Sequence, residues 1–348
     1  MNYQLIVVLI SSFLISTCSL LTASADPPVE LGKVDWLRDF DKGIALSKKQ
    51  QKPVFLLFQE VPGCATCKNY GKNVLSHPLI VDAIENLFVP VAIFNNKGGE
   101  DAKILKLYGE PSWNNPVVRI VDEKQKDIVK RVGSNYSQLG IVQAMVHALQ
   151  AKNIAVPTYL DLLEKELLAK HSKLETANLS MYCFWTGEKQ LGKIDGVVET
   201  QPGFMGGREV VQVKYDRAIV NYEKLVKKAV ATNCASHVYA ENAQQQKKAN
   251  KVVGQKAVSA KSNFRLDKDP KYYLSRTSYQ YIPMTALQAV KVNSLIGENK
   301  NPESILSPRQ VALAKYVKNH SNKSWTSAIN QDIIVAWNKV EDFVPKEK

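Results

Sequence analysis

Cysteine is scarce in this chain, with five residues in 348. That is far too few to staple a fold of this length, which excludes a disulfide-built scaffold. The five histidines, His77, His147, His171, His237 and His320, show no metal-ligand spacing. There is neither a GxGxxG fingerprint nor a P-loop. No metal, nucleotide or other cofactor is therefore implied. With 45% hydrophobic and 23% charged residues, 17 Gly and 15 Pro, collagen-like, coiled-coil and disordered classes are excluded as well. No basic run alternates with aromatics, so the net charge of +13 reads as a solvated face and not as a nucleic-acid surface. At about 150 residues per domain, the length calls for two domains with additions.

The first 25 residues carry no charged side chain. Leu5 to Ile15 has the length of a secretory h-region, and Ala23, Ser24 and Ala25 form a small-x-small signal, so cleavage is expected before Asp26. The expected location is then exported, periplasmic or otherwise extracytoplasmic. The n-region lacks Lys and Arg, and the stretch 5–21 also suits an uncleaved membrane anchor. Thr17 fits poorly before a lipidated Cys18. Four cysteines remain beyond the leader, Cys64, Cys67, Cys183 and Cys234, and in an exported protein so few thiols suggest redox work.

Trp36 to Gln50 reads as a helix with an apolar side, and Val54 to Phe58 as a strand buried on both faces. Cys64-Ala65-Thr66-Cys67 follows and opens a helix that can run to Ser76. Phe88 to Phe94 and Val117 to Val121, the latter directly after Pro116, are further apolar runs. A thiol at a helix N-terminus meets free N–H groups and the positive dipole end, and two residues between thiols leave one exposed to attack and one beneath it to resolve. CxxC is also half a zinc site, but no second CxxC or CxxH completes it.

This order of elements resembles a thioredoxin fold over roughly residues 30 to 150. The resemblance implies Cys64 and Cys67 as the dithiol and Pro116 as the facing cis-proline. Gly63 departs from the family Trp, and Val61-Pro62-Gly63-Cys64 resembles a thioredoxin-like family some of whose members carry selenocysteine at the Cys64 position. Cys64 would then be the attacking group.

After an amphipathic helix at Thr158 to Ala169, a second pattern begins. Ala177 to Tyr182 reads as a strand, a helix opens at Cys183, Val197 to Thr200 and Glu209 to Tyr215 read as strands, Tyr222 starts a helix, Ser236 to Ala240 is a strand, and Asn242 starts another helix. This is a split β-α-β layout. The words Tyr182-Cys183-Phe184-Trp185, Glu188, Gly196-Val197, Gly203-Phe204-Met205-Gly206-Gly207, Glu209-Val210-Val211 and Tyr215-Asp216 resemble, in this order, the A-type peptide methionine sulfoxide reductases (MsrA) over about residues 175 to 275. The resemblance implies that Cys183 attacks the sulfoxide sulfur, that Phe184 and Trp185 hold the substrate methyl, and that Glu209 assists protonation of the oxygen. The family Tyr is Phe204 here, a second active-site Tyr and its Asp are not found, and the C-terminal resolving cysteines are absent. Cys234, at about the second Tyr's place, is then the candidate resolving thiol.

The expected fold is an α/β thioredoxin-like domain followed by an α+β split β-α-β (MsrA-like) domain and a helical C-terminal extension. The expected boundaries are a signal peptide at 1–25, the thioredoxin-like domain at 26–150, a helical linker at 151–174, the MsrA-like domain at 175–297 and a helical tail at 298–348. Two activities stand. One is thiol-dependent reduction of methionine-S-sulfoxide with the fused dithiol regenerating Cys183. The other is a thiol-disulfide oxidoreductase whose second domain only binds clients. The expected partners are oxidised proteins or peptides and an external dithiol donor, with a membrane electron conduit as its source.

Overall fold

The computed structural model describes residues 28–344 apart from 173, 261 and 262. The expectations for the leader at 1–25, the anchor stretch 5–21 and Cys18 lie outside the described residues.

The first layer runs α1 (Phe40–Gln50), β1 (Val54–Gln59), α2 (Ala65–Asn73), α3 (Pro78–Leu87), β2 (Val89–Phe94), α4 (Glu100–Tyr108), β3 (Val117–Val121), β4 (Val132–Gly133) and α5 (Gln138–Ala151). Its sheet has the order β2-β1-β3-β4. β1 lies parallel to β2 and antiparallel to β3. The unbroken apolar run of β1 is buried at every position, as a central strand covered by helices on both faces requires. α1 starts four residues later than Trp36. Asp39 caps it by accepting the Lys42 N–H at 2.9 Å, while Leu37 pairs with Val91 beside β2 and donates its N–H to Pro90. Cap and strand edge outcompete the helical periodicity there. α2 likewise ends at Asn73 instead of Ser76.

α6 (Thr158–Ser172) connects to the second layer: β5 (Glu175–Ser180), α7 (Phe184–Gly192), β6 (Val197–Met205), β7 (Arg208–Tyr215), α8 (Tyr222–Ala231), β8 (His237–Ala240), α9 (Ala243–Val253), β9 (Ala257–Ser259) and β10 (Arg265–Leu266). The order of its mixed sheet is β10-β6-β7-β5-β8-β9. β5 stops at Ser180, two residues short of Tyr182, and β6 runs on through Pro202 to Met205. Four helices follow, α10 (Tyr272–Ser275), α11 (Ala286–Gly297), α12 (Pro308–Asn319) and α13 (Ile333–Trp337). α11 and α12 both begin in capping boxes, at Thr285 with Gln288 and at Ser307 with Gln310. No described helix is long and apolar enough to cross a membrane.

α6 belongs to two cores at once. Leu160 and Leu163 pack into the cluster of the first sheet, while Leu162 and Ala169 pack with α11 and α12. Leu168 on the same helix is exposed. Glu166, buried on the same helix, accepts the Leu287 N–H at 2.8 Å near the start of α11.

Arg309 at the start of α12 reaches back to α3. Its Nε stands 3.0 Å from Asp82 Oδ1, its backbone N–H donates to Asp82 Oδ2 at 3.2 Å, and its guanidinium contacts Glu85. Even so, burial pushes the Asp82 carboxyl up to about 6 from an ordinary 3.8. Burial pushes His77, in front of the same helix, down to about 4 from 6.5. The two have opposite linkage. Asp82's contribution to stability is complete below 3.8 and is lost as pH rises through about 6. His77's is complete above 6.5 and is lost as pH falls through about 4. Asp82→Asn removes only the first. In urea melts the variant's stability relative to wild type should rise by up to about 3 kcal/mol between pH 4 and 7; parallel pH profiles would contradict this.

Candidate active site

The dithiol is built by the step from β1 into α2. Cys64 occupies the N-cap position of α2 and is exposed, whereas Cys67, one turn on, is fully buried. Their sulfurs are 3.8 Å apart. The backbone N–H of Cys67 holds the Cys64 thiol below its usual value, with smaller help from the Cys67 thiol and from Thr66. Burial pushes the Cys67 thiol up to about 11, and it donates to Asn115 Oδ1 at 2.6 Å. The Asn115–Pro116 peptide is cis and Pro116 is buried. An exposed nucleophilic sulfur above a protonated reserve thiol is the asymmetry that disulfide exchange requires.

The preceding turn is held from below. Glu30, itself buried, accepts the Gly63 N–H at 2.8 Å. Gly63 has no room for a side chain: a Cβ would stand 2.4 Å from Glu60 O and 2.7 Å from Cys67 Cβ. That packing explains why the family Trp is not accommodated here.

The second centre forms where β5 gives way to α7. Glu209 on β7 holds the connecting chain at two points, its carbonyl accepting the Met181 N–H at 3.3 Å and its carboxylate Oε2 accepting the Phe184 N–H at 2.8 Å. Between these two anchors lies Cys183, half-buried at the N-cap position of α7, with no side-chain cap of its own. The residue therefore stands at the positive end of the helix, whose first N–H is taken by Glu209. Tyr182, next to it, is 98% exposed.

Glu209 is positioned by a tight hairpin. Gly206 and Gly207, with φ of 56° and 74°, make the turn, and the register sets Phe204 opposite Glu209. Phe204 meets Phe184 edge to face at 5.4 Å between ring centres, and Phe184 meets Trp185 at 5.7 Å. The three aromatics are thus in contact with one another, and the carboxylate holds the backbone one residue from Cys183.

Cys234 lies at the same end of the sheet, because β8 runs antiparallel to β5 with Ser180 opposite His237. Its side chain is turned inward. It is 2% exposed, packs in the core cluster that holds Phe184, and hydrogen-bonds Thr232 O at 3.3 Å. Burial raises its thiol above the usual value. Cys183 and Cys234 are unbonded and share no hydrogen bond.

Several residues of the site had no assigned role in the sequence. Tyr272 stacks on Trp185 at 4.0 Å, and the Arg276 guanidinium lies 4.9 Å from the centre of the Tyr272 ring. Arg265 lies 4.6 Å over Phe204. Glu188, fully buried, receives the Lys271 N–H at 2.8 Å and Lys271 Nζ at 2.9 Å, with Thr200 Oγ1 at 2.9 Å. Nothing in the sequence reading pointed to this segment.

Residues 35–123 match the family described as thioredoxin-like. The second part is similar to proteins named peptide methionine sulfoxide reductase MsrA. That of Methanococcus maripaludis (strain C7) is 36% identical over 69 residues, 15% of this chain and 44% of that protein. MsrA 1 of Nostoc sp. is 32% identical over 81 residues, 18% and 50%. That of Methanoculleus marisnigri is 37% identical over 76 residues, 17% and 46%. The chain spans about half the length of these curated relatives. A thioredoxin-like part and a divergent part similar to MsrA are thereby shown.

The asymmetry of the dithiol gives a labelling order. With the Cys67 thiol near 11 against an ordinary 9.0, Cys67 holds roughly a hundredfold less thiolate than an unperturbed thiol at pH 7. Iodoacetamide applied to the reduced protein at pH 7 should modify Cys64 first and leave Cys67 and Cys234 to the end, as read by peptide mass; early labelling of Cys67 would refute the assignment.

Proposed function

We propose that the chain reduces methionine-S-sulfoxide in peptides or proteins at Cys183 and is recharged by its own Cys64/Cys67 dithiol. The observation that carries this is the Glu209 carboxylate, bound to the first N–H of α7 one residue from Cys183, with Phe204 opposite it in the hairpin and packed on Phe184, which in turn meets Trp185. A sulfoxide is a poor electrophile until its oxygen receives a proton or a strong hydrogen bond, so the thiolate needs a carboxyl group at that place. The aromatic wall offers an apolar seat for the substrate methyl.

The steps balance as follows. The Cys183 thiolate bonds to the sulfoxide sulfur, the oxygen takes a proton through Glu209, and the sulfide departs as the oxygen passes to Cys183 as a sulfenic acid. The Cys234 thiol then attacks that sulfenic sulfur, releasing water and leaving a Cys183–Cys234 disulfide. The Cys64 thiolate opens this disulfide and Cys67 resolves the mixed species. Cys183 and Cys234 are again thiols, and Cys64 and Cys67, having given up two electrons, are left as a disulfide. An external dithiol completes the cycle. In an extracytoplasmic setting, a membrane electron conduit is the source we propose. Having both centres in one chain supplies the second dithiol without a soluble carrier.

The inward-facing Cys234 favours a second reading, in which the chain exchanges disulfides at Cys64 and Cys67 and uses the second part to hold clients. The two separate cleanly. On the first reading, wild type with an external dithiol turns over the S epimer, Cys183→Ser is inactive, Glu209→Gln loses about 10²- to 10⁴-fold in kcat, and Cys64→Ser completes one turnover and stops. If Cys183→Ser still reduces protein disulfides as wild type does while wild type leaves sulfoxide untouched, the second reading holds.

A further inference from the structure

Glu60 is used by neither reading. It follows β1 directly, and one of its carboxylate oxygens and the sulfurs of Cys64 and Cys67 all lie within 4.8 Å of one another. The 3.8 Å between the sulfurs equals the edge of a tetrahedron built on zinc–sulfur bonds of about 2.3 Å. A disulfide would need them at about 2.05 Å.

The carboxylate comes with the glycine. The tight contact of Gly63 with Glu60 O and Cys67 Cβ folds the segment from 60 to 63 down over the dithiol. A side chain at 63, such as the Trp of the commoner pattern, would force that turn away and the carboxylate with it. Glu30 fixes the same turn through the Gly63 N–H. The motif is thus E-x3-C-x2-C, with three donors from one continuous stretch of chain, and it needs no second CxxC.

The geometry points to a Zn²⁺ site on the reduced dithiol, with Cys64, Cys67 and Glu60 as ligands and the fourth position open to solvent beside the exposed Cys64. Two thiolates and a carboxylate form a donor set for zinc and not for magnesium or calcium, which take oxygen ligands alone. Binding exchanges the two thiol protons for the metal. Because the ion and the disulfide both require both sulfurs, each excludes the other. Zinc therefore holds the dithiol reduced and out of exchange. The inference does not depend on sulfoxide reduction.

The test uses the reduced full chain and Co²⁺ alone, followed by displacement with Zn²⁺. One equivalent should give intense tetrahedral visible bands with thiolate-to-cobalt absorption, and Zn²⁺ should bleach them. Cys64→Ser should lose the bands. Glu60→Gln, close in size and checked for its fold by circular dichroism, should bind at least about tenfold more weakly. The oxidised chain should bind none, Cys183→Ser should bind as wild type, and Zn²⁺ should protect Cys64 of wild type from iodoacetamide. Absence of the bands, or equal affinity in Glu60→Gln, overturns the site.

Discussion

The second half of this molecule hangs on Glu209. Its carbonyl and its carboxylate grip the chain at Met181 and Phe184, so the two residues between them, Tyr182 and Cys183, cross from strand to helix with little freedom. One residue thus sets where the sulfur sits, which helix end faces it, and where a carboxyl group stands relative to it. The Gly206-Gly207 hairpin exists in register with this demand, because a one-residue slip would turn Glu209 to the other face of the sheet. The fully buried contact of Glu188 with Lys271 and Thr200 does comparable work farther along α7. It brings the segment at 271 over the helix and sets Tyr272 against Trp185. An unpaired charge at that depth would be strongly unfavourable, so the segment is fixed as tightly as a core residue.

The first half solves a different problem with similar means. The dithiol needs one reactive and one dormant sulfur, and this follows from backbone N–H groups and depth together: Cys64 at the rim of α2 held by the Cys67 N–H, Cys67 a turn below in the apolar interior. Gly63 then shapes what else reaches the pair, since the tight turn it permits brings Glu60 alongside.

The parts of this arrangement that the sequence exposes are those made by neighbours in the chain. CxxC at a helix start and Cys183 after a strand follow from period and turn chemistry within about ten residues, whereas the strand read as ending at Thr200 runs on to Met205 and so sets Phe204 opposite Glu209. What the pattern hides depends on distant partners or on one backbone angle. Tyr272 comes to Trp185 only because Lys271 must reach Glu188, and nothing in either segment announces the other. The inward turn of Cys234 is set by Asn233 in the left-handed region, φ 57°, and by the Cys234 N–H closing on Ala229 O at 2.7 Å. The periodicity of α8 carries no trace of that bend. Trp36 to Asp39 failed as helix for a related reason, since their periodic apolar face is used by the edge of β2 instead.

The shared helix α6 has a consequence for how the molecule comes apart. Leu160 and Leu163 on one side and Leu162 and Ala169 on the other belong to different cores, while Arg309 and Ile333 from the last hundred residues complete packing around α3. The first sheet and the α11–α12 layer thus share one helix as part of their packing. A cut placed between the halves would therefore bare apolar side chains that α6 now covers in two cores.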